Sequence, residues 1–231
     1  MRKSGIPSLI WYSISHSLHF GLSFFIDILK KHTKDNFSLL DLGCSRGELL
    51  YHIQDDMPNH SKLFGLDYSE DLIKNAKEQD FLNDIDFKVG DAQDFELDRK
   101  FDFIVCAGTV GYFDSLDNFF KMVQKHLKKG GVALVFHLFN EFDVDVQVRY
   151  RNNKFFNQYE PGWNIHSINT AKNVLEGVKL SLKDTHKFQL SFDDEQKDDP
   201  ARSWTSYVDG DKKFINGLGQ VYDLICLEVC N

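Results

Sequence analysis

The sequence predicts an α/β protein built on a doubly wound, mostly parallel sheet. Three observations carry that expectation. The run Leu39-Leu40-Asp41-Leu42-Gly43-Cys44-Ser45-Arg46-Gly47 reads as the end of a buried strand followed by a tight loop, because its two glycines permit a sharp turn and close backbone approach to a ligand. A second apolar run, Leu63-Phe64-Gly65-Leu66, ends in an acid, Asp67. From there, apolar runs of strand length alternate with segments of helical period, as a parallel sheet with crossover helices requires.

The elements follow in order. Residues 8–30 are expected as an amphipathic helix with Ile10, Ile14, Leu18, Leu22, Phe25, Ile26 and Leu29 on one face. Tyr12, His16, His19 and Ser23 line a neighbouring stripe, which is either a half-buried flank or a row facing a substrate. A helix starting at about Arg46 turns its free N–H groups and positive dipole end toward the glycine loop. Strand 2 is Leu63 to Leu66, and a helix N-capped by Ser69 follows, burying Leu72, Ile73 and Ala76. Ile85 to Val89 forms strand 3 and leads into Gly90-Asp91-Ala92; Phe101 to Cys106 forms strand 4. A helix from Ser115 to Lys128 carries Leu116, Phe119, Phe120, Val123 and Leu127 on one face and stops at Gly130-Gly131. Val132 to Phe136 is strand 5, with His137 at its carboxyl end.

Beyond residue 138, Phe139 to Tyr159 is rich in aromatics and charges without helical period and reads as a substrate-side insertion. Ile168 to Leu180 has helical spacing, Thr185 to Phe192 alternates like a strand, and Asp193 to Pro200 is an acidic loop. Arg202 to Tyr207 and Lys213 to Ile215 form a hairpin turning at Asp209-Gly210, and Val221 to Val229 is the last strand. The expected organisation is one domain over 1–231: an N-terminal helical cap (1–35), a cofactor-binding core (36–138), and the substrate-side insertion with the C-terminal strands (139–231).

A formal charge of −8 and a pI near 5.5 oppose the basic surface that holds a phosphate backbone, so no nucleic-acid partner is expected. Cys44, Cys106, Cys226 and Cys230 show no C-x-x-C pairing, which reads as buried thiols in a reducing cytoplasm, with no disulfide framework and no metal. Arg2 and Lys3 precede an apolar stretch that Ser13, Ser15, His16, Ser17 and His19 interrupt, so a secretory leader is not expected. No apolar run is long enough to span a membrane.

A dinucleotide fingerprint needs glycine at three positions that here hold Gly43, Ser45 and Glu48, so the pyrophosphate reading fails. What remains is acidic-x-Gly-x-x-x-Gly after strand 1, an acid after strand 2 and Gly90-Asp91-Ala92 after strand 3. Over residues 37 to 138 this order resembles class I S-adenosylmethionine-dependent methyltransferases of the bacterial small-molecule type. The resemblance implies a Rossmann-like sheet and S-adenosylmethionine as cofactor. It implies that Asp41, Gly43, Cys44 and Gly47 wrap the methionine part, with Asp41 on the ammonium. Asp67 would take the ribose hydroxyls, Tyr68 the adenine face, Asp91 the adenine amino group and the Ala92 backbone the ring nitrogens. Cys106 and Ala107 would line the floor beneath the sulfonium.

Methyl transfer from a sulfonium is an in-line displacement, so the protein mainly aligns the nucleophile and excludes water. Ligands of open α/β sheets lie beyond the carboxyl ends of the strands, which makes His137 the first candidate general base and His166 the second. Tyr112 and Trp163, with Tyr12 and His16 from the leading helix, are the acceptor-contact candidates; Trp204 is a further stacking candidate. Glu141, Asp143 and Asp145 alternate along an extended segment, a spacing read as solvation rather than a magnesium site. Strand 4 lacks the Asn/Asp-Pro-Pro-Tyr tetrapeptide of enzymes that methylate DNA bases or glutamine. The pattern Asp199-Pro200-Ala201-Arg202-Ser203-Trp204-Thr205 with Asn216-Gly217-Leu218 is similar to bacterial small-molecule methyltransferases of surface-sugar pathways. The expected acceptor is therefore a sugar or nucleotide sugar, methylated on oxygen. Small-molecule N-methylation and a non-catalytic cofactor-binding module are the alternatives.

Overall fold

The computed structural model describes residues 23–32, 35–153, 158–190, 193–196 and 203–231. Five parallel strands form the middle and one wing of the main sheet: β1 (Phe37–Leu42), β2 (His60–Asp67), β3 (Asp86–Val89), β4 (Phe101–Ala107) and β5 (Leu127–His137). Two later strands, β10 (Ser181–Lys187) and β14 (Ile225–Cys230), complete it in the order β10-β14-β5-β4-β1-β2-β3. β14 alone runs antiparallel to its neighbours, lying between β5 and β10.

Alternation along the strands divides the core into two layers. On one face, residues 23–30 (α1), Glu48–Asp56 (α2) and Glu70–Lys77 (α3) pack Phe25, Leu29, Leu50, Ile53 and Ile73 against Leu39, Phe103 and Leu134. On the other, Asp117–His126 (α4) and Ile168–Gly177 (α5) pack Phe119, Phe120, Val123, Ala171 and Leu175 against Leu40, Ile104 and Val135. Each side of the sheet needs its own helices because both faces of the central strands are apolar. Ser69 accepts from the Leu72 N–H at 3.3 Å and so caps α3 as its sequence indicates.

Several boundaries differ from expectation. α2 starts at Glu48 rather than Arg46, because Gly47 holds a left-handed φ of 88° immediately before it. α4 ends at His126, and Leu127 already belongs to β5, fully buried and paired with Phe101. Gly130-Gly131 therefore lies inside the strand rather than stopping the helix; Gly131 is pressed against the Asp102 carbonyl, 2.9 Å from where a Cβ would stand. β10 runs over Ser181–Lys187 instead of Thr185 to Phe192, since pairing with β14 sets the position of this edge strand and its own alternation does not. The expected last strand is two: β13 (Val221–Tyr222) pairs with β12 (Asp211–Asn216), and β14 joins the main sheet. Asp223 stands at the crossing, held by Lys187 and Lys213 at 2.8 Å each.

The hairpin matches its sequence signal. β11 (Ser203–Val208) and β12 (Asp211–Asn216) turn at Asp209 and Gly210, both at positive φ, the geometry a two-residue hairpin loop requires. Among the described residues of 139–161, the strands are the short β6 (Phe139–Asn140), β7 (Arg149–Tyr150) and β8 (Glu160–Pro161). β6 pairs with β9 (His166–Ser167) and β7 with β8. Tyr12 and His16 lie outside the described residues. Among the described residues, no helix is long and apolar enough to cross a membrane.

Candidate active site

The loop between β1 and α2 is made of left-handed backbone: Gly43, Ser45 and Gly47 have φ of 84°, 51° and 88°. The N–H groups of Gly43 and Cys44 donate to the Leu66 carbonyl at 2.7 and 3.1 Å, tying the loop to the end of β2. Across the sheet stands Thr109, just beyond β4; a Cβ on Gly43 would come within 1.9 Å of its Oγ1. The chain reverses its winding between β1 and β4, so this crevice is the switch point at which open α/β sheets bind ligands. Among the described residues no side chain caps α2, which leaves its first N–H groups for a ligand. The Cys44 thiol packs instead beneath Gly65, so only its backbone belongs to the loop's concave side.

Two carboxylates flank this loop with different surroundings. Asp41 is 3% exposed, and among the described residues no cation or hydrogen-bond donor reaches it. Burial, then the charges of Asp67 and Glu48, push its pKa well above the ordinary carboxylate value. Such a group attracts a cation, as the ammonium of a bound amino acid would provide. Asp67 is oriented on both sides: Oδ2 accepts from the Ser45 N–H and Oδ1 from the Ser69 N–H, each at 2.9 Å. Burial raises its pKa, while those two backbone bonds oppose the rise. Its remaining lone pairs suit a pair of hydroxyls.

The adenine candidates sit on the neighbouring strand end. Asp91 begins a turn in which its Oδ1 accepts from the Gln93 N–H at 2.8 Å, and Ala92 is buried beside it. Tyr68 is 68% exposed, its ring free to cover a planar ligand. Cys106 is fully buried and its thiol is pushed up to about 12 by burial and by Asp41, so it contributes shape rather than nucleophilicity. Ala107 leads into Gly108, at φ 90°.

His137, at the end of β5, is 1% exposed and stacks on Trp163 with ring centroids 5.4 Å apart. Tyr112 lies beyond Trp163 at 5.9 Å, and burial raises its phenol. Burial lowers the His137 pKa to about 3, with His166 adding repulsion, and neither ring nitrogen has a hydrogen-bond partner among the described residues. The ring presses so closely on Gly111 that a Cβ there would stand 2.0 Å from Cε1. His166 is buried and pairs its Nε2 with the Phe113 carbonyl at 3.0 Å. It holds the turn that carries Tyr112 and is committed at that nitrogen.

The geometry adds residues that no sequence motif marks. Asn164, fully buried, donates to the Phe113 carbonyl at 3.0 Å and accepts from the Val148 N–H at 2.8 Å, joining the 110–114 turn to the insertion. Thr109, Ser45 and Gly111 shape the crevice. An Asn beside Trp163 and a Thr after a strand carry no signal in sequence, since either residue is common in loops. The three alternating carboxylates divide. Glu141 pairs with Lys187 at 3.6 Å, whereas Asp143 accepts from the Ser167 hydroxyl at 3.4 Å and Asp145 from the Ser167 N–H and the Thr170 hydroxyl at the start of α5.

Comparison with known proteins agrees with this architecture. The Methyltransferase domain family matches residues 33–158. A dTDP-3-amino-3,4,6-trideoxy-alpha-D-glucopyranose N,N-dimethyltransferase of Streptomyces venezuelae is 33% identical over 113 residues, covering 47% of this chain and 46% of the relative. A malonyl-[acyl-carrier protein] O-methyltransferase of Priestia megaterium is 25% identical over 158 residues, covering 67% and 57%. The chain spans about half the length of the curated relatives it matches. In fold, an S-adenosylmethionine-dependent methyltransferase from Clostridium acetobutylicum superposes with a TM-score of 0.61 at 16% identity, covering 90% of this chain and 89% of the other. The chain belongs to the methyltransferase domain family, whose members take the transferred methyl group from S-adenosylmethionine.

Proposed function

We propose that this chain holds S-adenosylmethionine across the β1–β4 crevice and methylates an amino group on a sugar-type small molecule. In this reading Asp41 faces the ammonium, and the backbone of Gly43, Cys44 and Gly47 follows the methionine part. Asp67 takes the ribose hydroxyls, Tyr68 covers the adenine, and Asp91 with the Ala92 backbone reads its edge. Cys106 and Ala107 form the floor. The cofactor supplies a methyl group on a positively charged sulfur, open to in-line attack.

The surroundings of His137 carry the choice of acceptor atom. The ring is 1% exposed and wedged between Trp163 and Gly111, and burial lowers its pKa to about 3, so it is poorly set to take a proton from an alcohol. An amine arriving unprotonated would need no base, because its own lone pair is the nucleophile and the product ammonium can lose its proton to water. The unpartnered ring nitrogens of His137, one donor and one acceptor, suit the hydroxyls of a sugar, and burying them unpaired costs about 1–3 kcal/mol each. Tyr112 and Trp163 offer apolar faces for the ring. The name of the Streptomyces relative, which specifies an amino group on a dTDP-linked sugar, supports the same class.

O-methylation of a sugar hydroxyl is the second reading, favoured by those same free nitrogens. Transfer of labelled methyl to a nucleotide-linked amino sugar and to its hydroxyl congener separates the two. The expected product is the methylated amine. Turnover of the hydroxyl congener alone would replace this reading with the second, and absence of cofactor binding in calorimetry would remove both.

A further inference from the structure

A second cluster of ligating side chains lies away from the crevice, on the α1 face of the sheet edge. β14 alternates so that Cys226, Glu228 and Cys230 share one face, and Glu228 is 3% exposed there. The neighbouring strand β10 brings His186, whose Nε2 lies 2.9 Å from Glu228 Oε2, and Asp184, whose carboxylate lies 3.9 Å from the same nitrogen. The donor atoms of Asp184, His186 and Glu228 all fall within 4.8 Å of one another. His32, just after α1, sets its Nε2 3.0 Å from the other oxygen of Glu228.

We propose that Asp184, His186 and Glu228 bind one first-row divalent cation of the zinc type, with a fourth position left for water. One imidazole and two carboxylates are ligands this class of ion accepts, and at bond lengths of about 2.0–2.2 Å tetrahedral donors stand roughly 3.3 Å apart. The observed separations of 2.9 and 3.9 Å bracket that spacing. Glu228 is the buried centre of the cluster: its Oε2 meets His186 Nε2 at 2.9 Å, and its Oε1 is ion-paired with Lys183 at 2.7 Å and His32 at 3.0 Å. Lys183 is half-exposed and supplies the positive charge an ion would replace. A bound ion would fasten the edge strand β10 to β14, coupling occupancy to stability. This proposal stands apart from the reading of the catalytic site.

The test uses the whole, tag-free chain after chelator treatment, titrated with Zn2+ and separately with Co2+. Expected are one ion per chain at micromolar metal, visible Co2+ absorption of a tetrahedral site, and a rise in thermal midpoint. His186→Ala should weaken binding by about tenfold or more, whereas Lys183→Ala, which removes a competing cation, should strengthen it several-fold. Glu228→Gln should abolish the Co2+ signal; because that residue is buried, His186→Ala and Lys183→Ala decide the matter if it fails to fold. Absence of stoichiometric binding by the wild type, or affinities unchanged in both His186→Ala and Lys183→Ala, would overturn the site.

Discussion

Asp41 and Asp67 stand at the carboxyl ends of neighbouring strands, yet their surroundings give them opposite burdens. Asp67 is held by two backbone donors, so replacing it removes a shaped acceptor for two hydroxyls; Asp67→Ala should reduce cofactor affinity by about 2–4 kcal/mol in calorimetry. Unchanged affinity in a folded variant would remove the ribose assignment. Asp41 is buried beside like charges, which makes its ionised form costly in the ligand-free protein. Asp41→Asn should therefore raise the ligand-free melting point, at about 2–4 °C per kcal/mol for a chain of this size, while weakening cofactor binding. A variant that loses stability would contradict that account. At His137 the neutral ring predicts a mild catalytic effect: His137→Ala should change turnover of an amine acceptor by less than about tenfold and leave its pH profile between about 5.5 and 8 unaltered. A loss of 100-fold or more, with a changed profile, would restore the base.

The elements that make the crevice are short, and their precision comes from contacts across the sheet. Gly43 combines a left-handed φ of 84° with the Thr109 hydroxyl in the space a Cβ would need. Gly43→Ala should cost about 1–3 kcal/mol in backbone strain alone, measured by denaturant unfolding, and reduce cofactor binding further. Thr109→Ala in the same chain removes the collision but not the strain, so it should recover only part of the loss. Full recovery would mean that φ at this position is not strained. Asn164 and His166 play the corresponding part on the other side, since both bond the Phe113 carbonyl and set the turn that bears Tyr112.

Across the whole molecule, acid acts through histidines that folding removes, wholly or in part, from water. His60, His126, His137 and His166 all have pKa values lowered by burial first of all. His126 shows why. Its Nδ1 lies 2.9 Å from the Met122 carbonyl and its Nε2 accepts from the Leu97 N–H at 3.2 Å, an arrangement only the neutral ring can make. A group whose folded pKa is depressed contributes stability above its unfolded value, near 6.5 for histidine, and loses it as pH falls toward the folded value. Asp41 and Asp67, whose pKa values are raised, act with the opposite sign as they protonate. The urea midpoint should therefore be lower at pH 5.5 than at pH 7.5, and His126→Gln should flatten the dependence. A midpoint that rises on acidification would show the two carboxylates prevailing.

What the sequence by itself determined is local: the strand–glycine loop–helix unit at Asp41 to Ile53, the acid ending β2, the Ser69 cap and the Asp209-Gly210 hairpin. Each depends on a backbone conformation or periodicity that neighbouring residues specify among themselves, so each is legible without knowing the fold. Only the tertiary structure decided the rest. The edge strand β10 and the divided last strand take their positions from pairing with β14 and β12, partners far apart in the chain. The end of α4 was misplaced because Leu127 continues the helical apolar stripe, while its burial against Phe101 makes it strand. His137 could be placed at a strand end from sequence, but its low pKa arises from the packing of Trp163, Gly111 and His166 around it. The grouping of His32, Asp184, His186 and Glu228 likewise joins a helix end to two strands. Periodicity records which face of an element is buried; what that face meets, and hence how a buried polar group behaves, is set by contacts the chain makes only when folded.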